Sequence, residues 1–351
     1  MATALVIGGS GQIGRAAVAA LVADGWDVRV LTRDSERHGS LVRSWGAEPV
    51  VGDRREPDAL ARALRGGVDV LVDVVAFDDR DAEGVLAHRD LVGSAVVVSS
   101  AAVYVDAVGD GFETERFGTY PDPIGEDQPT VAPGRGGYAA GKVALEQAWL
   151  AAADVPATVL RPGAVHGPGC VQPREWLFVK QALDGRRVRV LSYDGTSRFQ
   201  TTSTAVIGEL VRRAAARPGR RVLNAADPQA LTVAEIADAV GAHLGHAPRT
   251  VTFAGPPVGP VGATPWSVPG PVVLDGTRAA DELGCTDLPG YRASVGAAID
   301  DLLAVASRVE DWREAFGGFA RMEAAMGPFL DYAAEDAWLA THEGRSAMME
   351  P

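Results

Sequence analysis

A chain of 351 residues with 41 glycines and 22 prolines is long enough for one large domain and a second lobe, each with its own core. Its formal charge of −13 disfavours non-specific binding to nucleic acid or to an anionic membrane. Its two cysteines, Cys170 and Cys285, are too few for a disulfide-stapled fold or a cysteine-rich metal centre.

Short apolar runs alternate with helix-like segments over the first 165 residues. Ala4–Ile7 reads as a strand, Gln12–Ala23 as a helix stopped by Asp24-Gly25, and Val28–Leu31 as a second strand. A weak helix at Leu41–Trp45 precedes a strand at Glu48–Val51, and Pro57 opens a helix running to Leu64. Val68–Val75 and Ala95–Ser99 read as strands with a helix, Ala82–His88, between them. These strands are apolar along their length, as expected where both sheet faces are covered. Residues 105–136, rich in Gly, Pro, Asp and Glu, read as a long loop. A helix over Tyr138–Ala153 and a strand over Ala157–Leu160 follow. The strand–helix order predicts an α/β, Rossmann-type, doubly wound parallel sheet over 1–165, with segments near 198–225 returning to it.

The remainder, 166–351, reads as a smaller, mixed substrate-binding lobe with C-terminal helices. Helices are expected at Trp176–Leu183, Thr204–Ala216 and Val233–Leu244, the last opened by the capping-box spacing Thr232 to Glu235. Short strands are expected at Val188–Leu191 and Val222–Asn224. The Pro/Gly-rich stretch 254–271 reads as an irregular crossing segment. From 292 on the chain reads as helical, with Trp312, Phe316, Phe319, Met326 and Phe329 on one stripe that suits a core or a dimer face. The last seven residues are expected to fray. No apolar stretch approaches the roughly 20 residues that span a bilayer, and the four-residue apolar start is too short for a signal segment, so a soluble cytoplasmic protein is expected.

The first strand runs into Gly8-Gly9-Ser10-Gly11-Gln12-Ile13-Gly14, which opens the first helix. Glycines at this spacing allow a tight turn, let backbone N–H groups approach a pyrophosphate and aim a helix N-terminus at its charge. The second strand ends Thr32-Arg33-Asp34. An acidic residue there would accept hydrogen bonds from the ribose of NAD, whereas Arg33 suits a 2′-phosphate, so NADP is expected, with NAD the alternative. Tyr138 and Lys142 stand at i and i+4, on one helix face. With two lysines and six tyrosines in the chain, that pairing by chance is rare. A neighbouring ammonium, with a positively charged nicotinamide, would lower the phenol pKa and ready it for proton transfer. Ser99-Ser100 close the preceding strand, where a hydroxyl can share a substrate oxygen with the tyrosine.

Together these features resemble the extended short-chain dehydrogenase/reductase family, the NAD(P)-dependent epimerase/dehydratase group. Further matches are Gly52-Asp53, Asp69 to Ala76, Ser99 to Tyr104 and Arg161 to Pro168. The resemblance implies that Gly8, Gly11, Gln12, Ile13 and Gly14 hold the pyrophosphate, that Asp53 and Arg54 border the adenine, and that Val74 and Ala76 line the cleft. It implies that Ser100, Tyr138 and Lys142 are the catalytic set, that Lys142 also binds the nicotinamide ribose, and that Pro162 to Val165 border the nicotinamide. Tyr104, His166 and Arg198 are candidates for substrate contact. No His, Asp or Glu spacing suggests a metal. The expected function is hydride transfer between a nicotinamide cofactor and a ketone or secondary alcohol of a small polar metabolite, with Tyr138 as acid/base. The alternatives are a sugar-nucleotide epimerase or dehydratase with an internal redox cycle, which Ala164 and Thr204 weigh against, and a non-catalytic NADP-binding regulator. A homodimer is expected from the resemblance.

Overall fold

The structure, a computed structural model, describes residues 1–346. The expected fraying of the last residues falls largely outside that range. The chain runs through β1 (Thr3–Ile7), α1 (Gln12–Ala23), β2 (Asp27–Thr32), α2 (Ser35–Ser44), β3 (Glu48–Val51), α3 (Pro57–Ala63), β4 (Val70–Asp73), α4 (Asp79–Leu86), β5 (Ala95–Val98), α5 (Tyr138–Ala151) and β6 (Ala157–Pro162). There follow β7 (Ala164–His166), α6 (Trp176–Leu183), β8 (Val188–Leu191), β9 (Thr201–Ser203), α7 (Thr204–Ala216), β10 (Arg221–Ala225), α8 (Val233–Leu244) and β11 (Arg249–Thr252). The last elements are α9 (Thr277–Leu283), α10 (Tyr291–Ala306), α11 (Trp312–Ala315), α12 (Gly317–Met326) and α13 (Tyr332–Ser346).

These elements form two compact units. The first takes Met1–Val165, Gln200–Gln229 and Leu274–Gly290, and the second takes His166–Phe199, Ala230–Val273 and the chain from Tyr291 on. The segment Leu274–Gly290, placed in the second lobe by the sequence expectation, thus belongs to the first unit.

In the first unit seven strands form one sheet in the order β10-β6-β5-β4-β1-β2-β3, and every pairing is parallel. Alternation along β1 explains why both faces are covered. Ala4 and Val6 point into a core with Val18 and Leu21 of α1 and Leu210 of α7, whereas Leu5 and Ile7 point into a core with Leu60, Val85, Leu145 and Trp149. The strand order reverses between β1 and β4, the place where a doubly wound sheet opens a crevice at its carboxyl ends. The 105–136 segment has few strands but is held by its own contacts. Asp106 accepts the N–H groups of Val108, Asp110 and Thr119, and Phe112, Phe117 and Tyr120 pack ring on ring.

The second unit has a core of Trp176, Phe178, Trp266, Tyr291, Phe316 and Phe319, beside the parallel pair β8–β11. The capping box opens α8: Thr232 Oγ1 accepts the Glu235 N–H at 3.2 Å, and Glu235 Oε2 accepts the Thr232 N–H at 2.8 Å. The Pro/Gly-rich stretch delivers Trp266 into the core, where it stacks on Phe178 at 5.8 Å. Phe316, Phe319 and Phe329 of the aromatic stripe are buried, so those residues are core, while Met326 is exposed. The helical tail is broken rather than continuous, and Gly327, at φ +95°, ends α12. Among the described residues no helix is long and apolar enough to cross a membrane.

Candidate active site

The turn after β1 has no room for side chains. Gly8 has φ +84°, and a Cβ there would lie 2.4 Å from Val75 Cγ1. A Cβ on Gly14 would lie 2.2 Å from the Gly8 carbonyl oxygen and 2.5 Å from Gly9 Cα. The Gly11 N–H closes the turn onto Gly8 O at 3.1 Å, and α1 then begins at Gln12, with Ile13 packed on the core. The helix therefore leaves the strand with its N-terminal amides close to the sheet edge.

This turn forms one wall of a cleft of about 700 Å³. Gly8, Ser10, Gly11, Thr32, Arg33, Asp34, Asp53, Arg54, Val75 and Phe77 are among the residues that line it. Arg33 and Asp34 are both exposed on it. Asp53 Oδ1 accepts the Arg55 N–H at 2.9 Å and shapes the turn after β3. Arg54 borders the cleft but is tied down by Asp73 at 2.7 Å and Asp81 at 3.3 Å. The sequence expectation placed Val74 and Ala76 on the wall. The structure puts Val75 and Phe77 there instead: β4 ends at Asp73, the backbone turns, and Val74 packs inward while Ala76 is buried. Pro162 and Val165 are not among the lining residues of this cleft. Pro162 ends β6, paired with Ala225, and Val165 packs against the core.

Tyr138 and Lys142 open α5 beside this wall. The Tyr138 ring packs against Phe77 at 5.8 Å and is 40% exposed. Ser100, two residues past β5, accepts the Ala102 N–H at 3.1 Å, and its hydroxyl acts to lower the Tyr138 pKa. Lys142 is 5% exposed, and its Nζ donates to the carbonyls of Ala76 at 2.7 Å and Val98 at 2.9 Å. Burial pushes its pKa down to about 8, against the pull of Asp73, Glu146 and Asp81.

Lys142 together with a positively charged nicotinamide was expected to lower the Tyr138 pKa; in the protein alone the phenol is pushed up. Desolvation is the largest cause and the Glu113 carboxylate adds to it, while the Ser100 hydrogen bond works the other way. The Lys142 ammonium lies 5.6 Å from the ring centroid and is aimed at backbone carbonyls. Glu113 sits close because its Oε2 accepts the Ala139 N–H at 3.1 Å, at the start of α5.

The three residues read as substrate contacts fare differently. Tyr104 is fully buried and donates to Asn224 Oδ1 at 2.6 Å; burial raises its pKa to about 12. It is a structural tyrosine. His166 and Arg198 belong to the second unit. His166 is 1% exposed and its ring packs on Tyr291 at 4.7 Å, so it is part of the packed interior rather than a side chain offered to a ligand. Arg198 is half-buried, and its carbonyl accepts the Val272 N–H at 2.9 Å. The sequence reading missed Asp73, Asp81 and Phe77. It also missed the buried ion pair Glu146–Arg161 behind the site, where Arg161 donates to Glu146 at 3.0 and 2.6 Å. Among the described residues no group of three or more His, Cys, Asp or Glu is placed to hold a metal.

A profile of the NAD dependent epimerase/dehydratase family matches residues 4–202. The chain belongs to that family. A 4-hydroxy-2-methyl-3-oxo-4-farnesyl-3,4-dihydroquinoline-1-oxide ketoreductase of Stigmatella aurantiaca is 29% identical over 214 residues, 57% of this chain and 60% of that protein. A ceramide reductase of Caulobacter vibrioides is 34% identical over 168 residues, 47% of this chain and 46% of that protein. A photosystem II assembly factor of Cyanophora paradoxa is 34% identical over 97 residues, 28% of this chain and 29% of that protein. The chain thus matches these curated relatives over less than two thirds of their length. Among solved structures, the dTDP-glucose 4,6-dehydratase of Bacillus anthracis in complex with NAD superposes with a TM-score of 0.65. The two are 16% identical, and the match covers 88% of this chain and 98% of that one, which shows a shared fold.

The cleft fits the dinucleotide of this NAD-binding family. A glycine cradle with no room for a Cβ at Gly8, Gly9 or Gly14 lies at a helix N-terminus, at the crevice of the sheet. Gly14→Ala is expected to destabilise the protein by about 1–3 kcal/mol through overpacking. It is also expected to weaken nicotinamide dinucleotide binding at least tenfold, about 1.4 kcal/mol. Urea unfolding and a fluorescence titration read the two effects separately.

Proposed function

We propose that this chain is an NADPH-dependent reductase that converts a ketone to a secondary alcohol. The Tyr138 phenol, packed on Phe77 at the cleft and 5.6 Å by its ring centroid from the buried Lys142 ammonium, with Ser100 acting on it, carries this reading. When bound, the cofactor supplies the hydride; the chain supplies position and a proton. Gly8, Gly11 and Gly14 with the first turn of α1 would hold the pyrophosphate. Ser100 and Tyr138 would share the carbonyl oxygen of the substrate, and Tyr138 would give it its proton. The Lys142 ammonium, 5.6 Å from the ring centroid, would act on the phenolate left behind only through space. A protonated tyrosine suits the reductive direction. Two of the curated relatives bear reductase names, which agrees with it. The test is consumption of NADPH against a panel of ketones. Sugar-nucleotide turnover without added NADPH would favour an internal redox cycle instead.

Arg33 is the residue we assign to the 2′-phosphate of the cofactor, since it is an exposed cation on the cleft wall next to the end of β2. Arg33→Ala is expected to raise the KM for NADPH by about tenfold, the worth of one charge-assisted contact. The KM for NADH should stay where it was. Steady-state kinetics with both cofactors decides it.

A further inference from the structure

Asp73, Arg54 and Asp81 form a cluster that the mechanism above does not use. Asp73 ends β4 and is fully buried. Its Oδ1 accepts the Arg54 Nη1 at 2.7 Å and the N–H groups of Val75 at 3.2 Å and Ala76 at 3.0 Å. Its Oδ2 is buried with no hydrogen-bond partner. Asp81 holds the next amide, accepting the Phe77 N–H at 2.6 Å, and Arg54 reaches it at 3.3 Å. Three consecutive backbone amides are therefore gripped by two carboxylates that share one guanidinium.

That grip fixes what the turn presents to α5. The Ala76 carbonyl takes the Lys142 ammonium, and the Phe77 ring takes Tyr138. Gly141, between the two, lies so close that a Cβ on it would meet the Phe77 carbonyl at 3.1 Å. Among the described residues the buried Lys142 ammonium donates to backbone carbonyls alone, so its counter-charge acts through space. The charged groups that bear on it are Asp73 first, then Glu146 on its own helix and Asp81, opposed by Arg54. Glu146 is engaged by Arg161 and Ser99. Asp81 is engaged by Phe77 and Arg54. Asp73 retains an uncommitted oxygen.

We propose that Asp73, clamped by Arg54, is the positioning residue of the Tyr138–Lys142 pair: it holds the N–H of Ala76, whose carbonyl holds the lysine, and from there its negative charge acts on the buried ammonium through space. The inference rests on the reading of Tyr138 and Lys142 as a working pair, but its test does not need turnover. The chain has two lysines, Lys142 and Lys180, so protein labelled with ¹³C-lysine gives two side-chain Cε signals to follow against pH. Lys180 lies in the second unit and serves as the internal control. Asp73→Asn keeps the shape and removes the charge; it is expected to move the Lys142 midpoint down by about one pH unit or more. Arg54→Gln removes the opposing cation and is expected to move it up. The opposite signs separate a specific charge from general disturbance, and Arg54→Gln alone keeps the test readable where Asp73→Asn does not fold. An unmoved Lys142 in either variant, or shifts of the same sign in both, overturns the proposal. In the reductase assay, the alkaline decline of turnover should move to lower pH in Asp73→Asn, with kcat reduced more than the KM for NADPH. Ketone reduction that is absent from the wild type, with the two opposite NMR shifts intact, would sink the reductase reading and leave the positioning role standing.

Discussion

Tyr138→Phe is expected to lower ketone turnover by about 10²–10⁴-fold, the usual worth of a positioned general acid. NADPH binding should be largely unaffected. The substitution deletes one hydroxyl and keeps the ring that packs on Phe77 at 5.8 Å. Lys142 stays where it is, because its ammonium is held by the carbonyls of Ala76 and Val98 and not by the phenol. The loss should therefore fall on kcat, which marks an interaction made in the transition state. Stopped-flow absorbance of NADPH gives the rate, and a fluorescence titration gives the affinity. Turnover that survives the substitution would remove Tyr138 from the chemistry.

The second large effect is on stability. Arg161→Met is expected to cost about 3–5 kcal/mol, the range for removing one partner of a buried ion pair. Arg161 and Glu146 have side chains only 7% and 3% exposed, and they meet in two hydrogen bonds. The pair joins α5, which carries Tyr138 and Lys142, to β6 of the sheet. Arg161 also lies over the Tyr104 ring at 4.9 Å and donates to the Glu126 carbonyl at 3.3 Å. Glu146 left alone would be a buried carboxylate with Ser99 as its remaining partner. Replacing both residues by apolar ones of similar size should recover much of the loss, because the penalty comes from the unpaired charge. Urea unfolding of the single and double variants measures it. A single-variant cost well under 1 kcal/mol would show that the pair is not a fixed strut of α5.

Much of this was legible in the sequence because it is local. A glycine turn between a strand and a helix, and a Tyr and Lys one helical turn apart, are spacings within seven residues, and each forms where it was read. The strands announced themselves as apolar runs because both sheet faces are covered. What the sequence hid is long-range or depends on where a strand stops. The resemblance implied Val74 and Ala76 as wall residues; β4 ends at Asp73, and the turn presents Val75 and Phe77 to the cleft instead. Tyr104 was a candidate substrate contact within the Ser99 to Tyr104 match, but its hydrogen-bond partner Asn224 is 120 positions away. Asp73 was visible only as a polar residue inside an apolar run, and its meaning depends on Arg54 and Lys142, which arrive from other elements. The strand β9, Thr201–Ser203, was missed because its three residues are polar; their burial is supported by hydrogen bonds to Asp227 and the Ala225 carbonyl.

On the proposed reading, the cleft at the glycine turn takes a nicotinamide dinucleotide and exchanges it, with Arg33 favouring NADPH. The most direct measurement is a titration of the purified protein with NADPH and NADH side by side, following nicotinamide fluorescence and recording any cofactor already bound. A saturable, exchangeable site that binds NADPH more tightly than NADH and is weakened by Gly14→Ala is expected. Protein that binds neither, or that arrives carrying NAD it does not release, would contradict it.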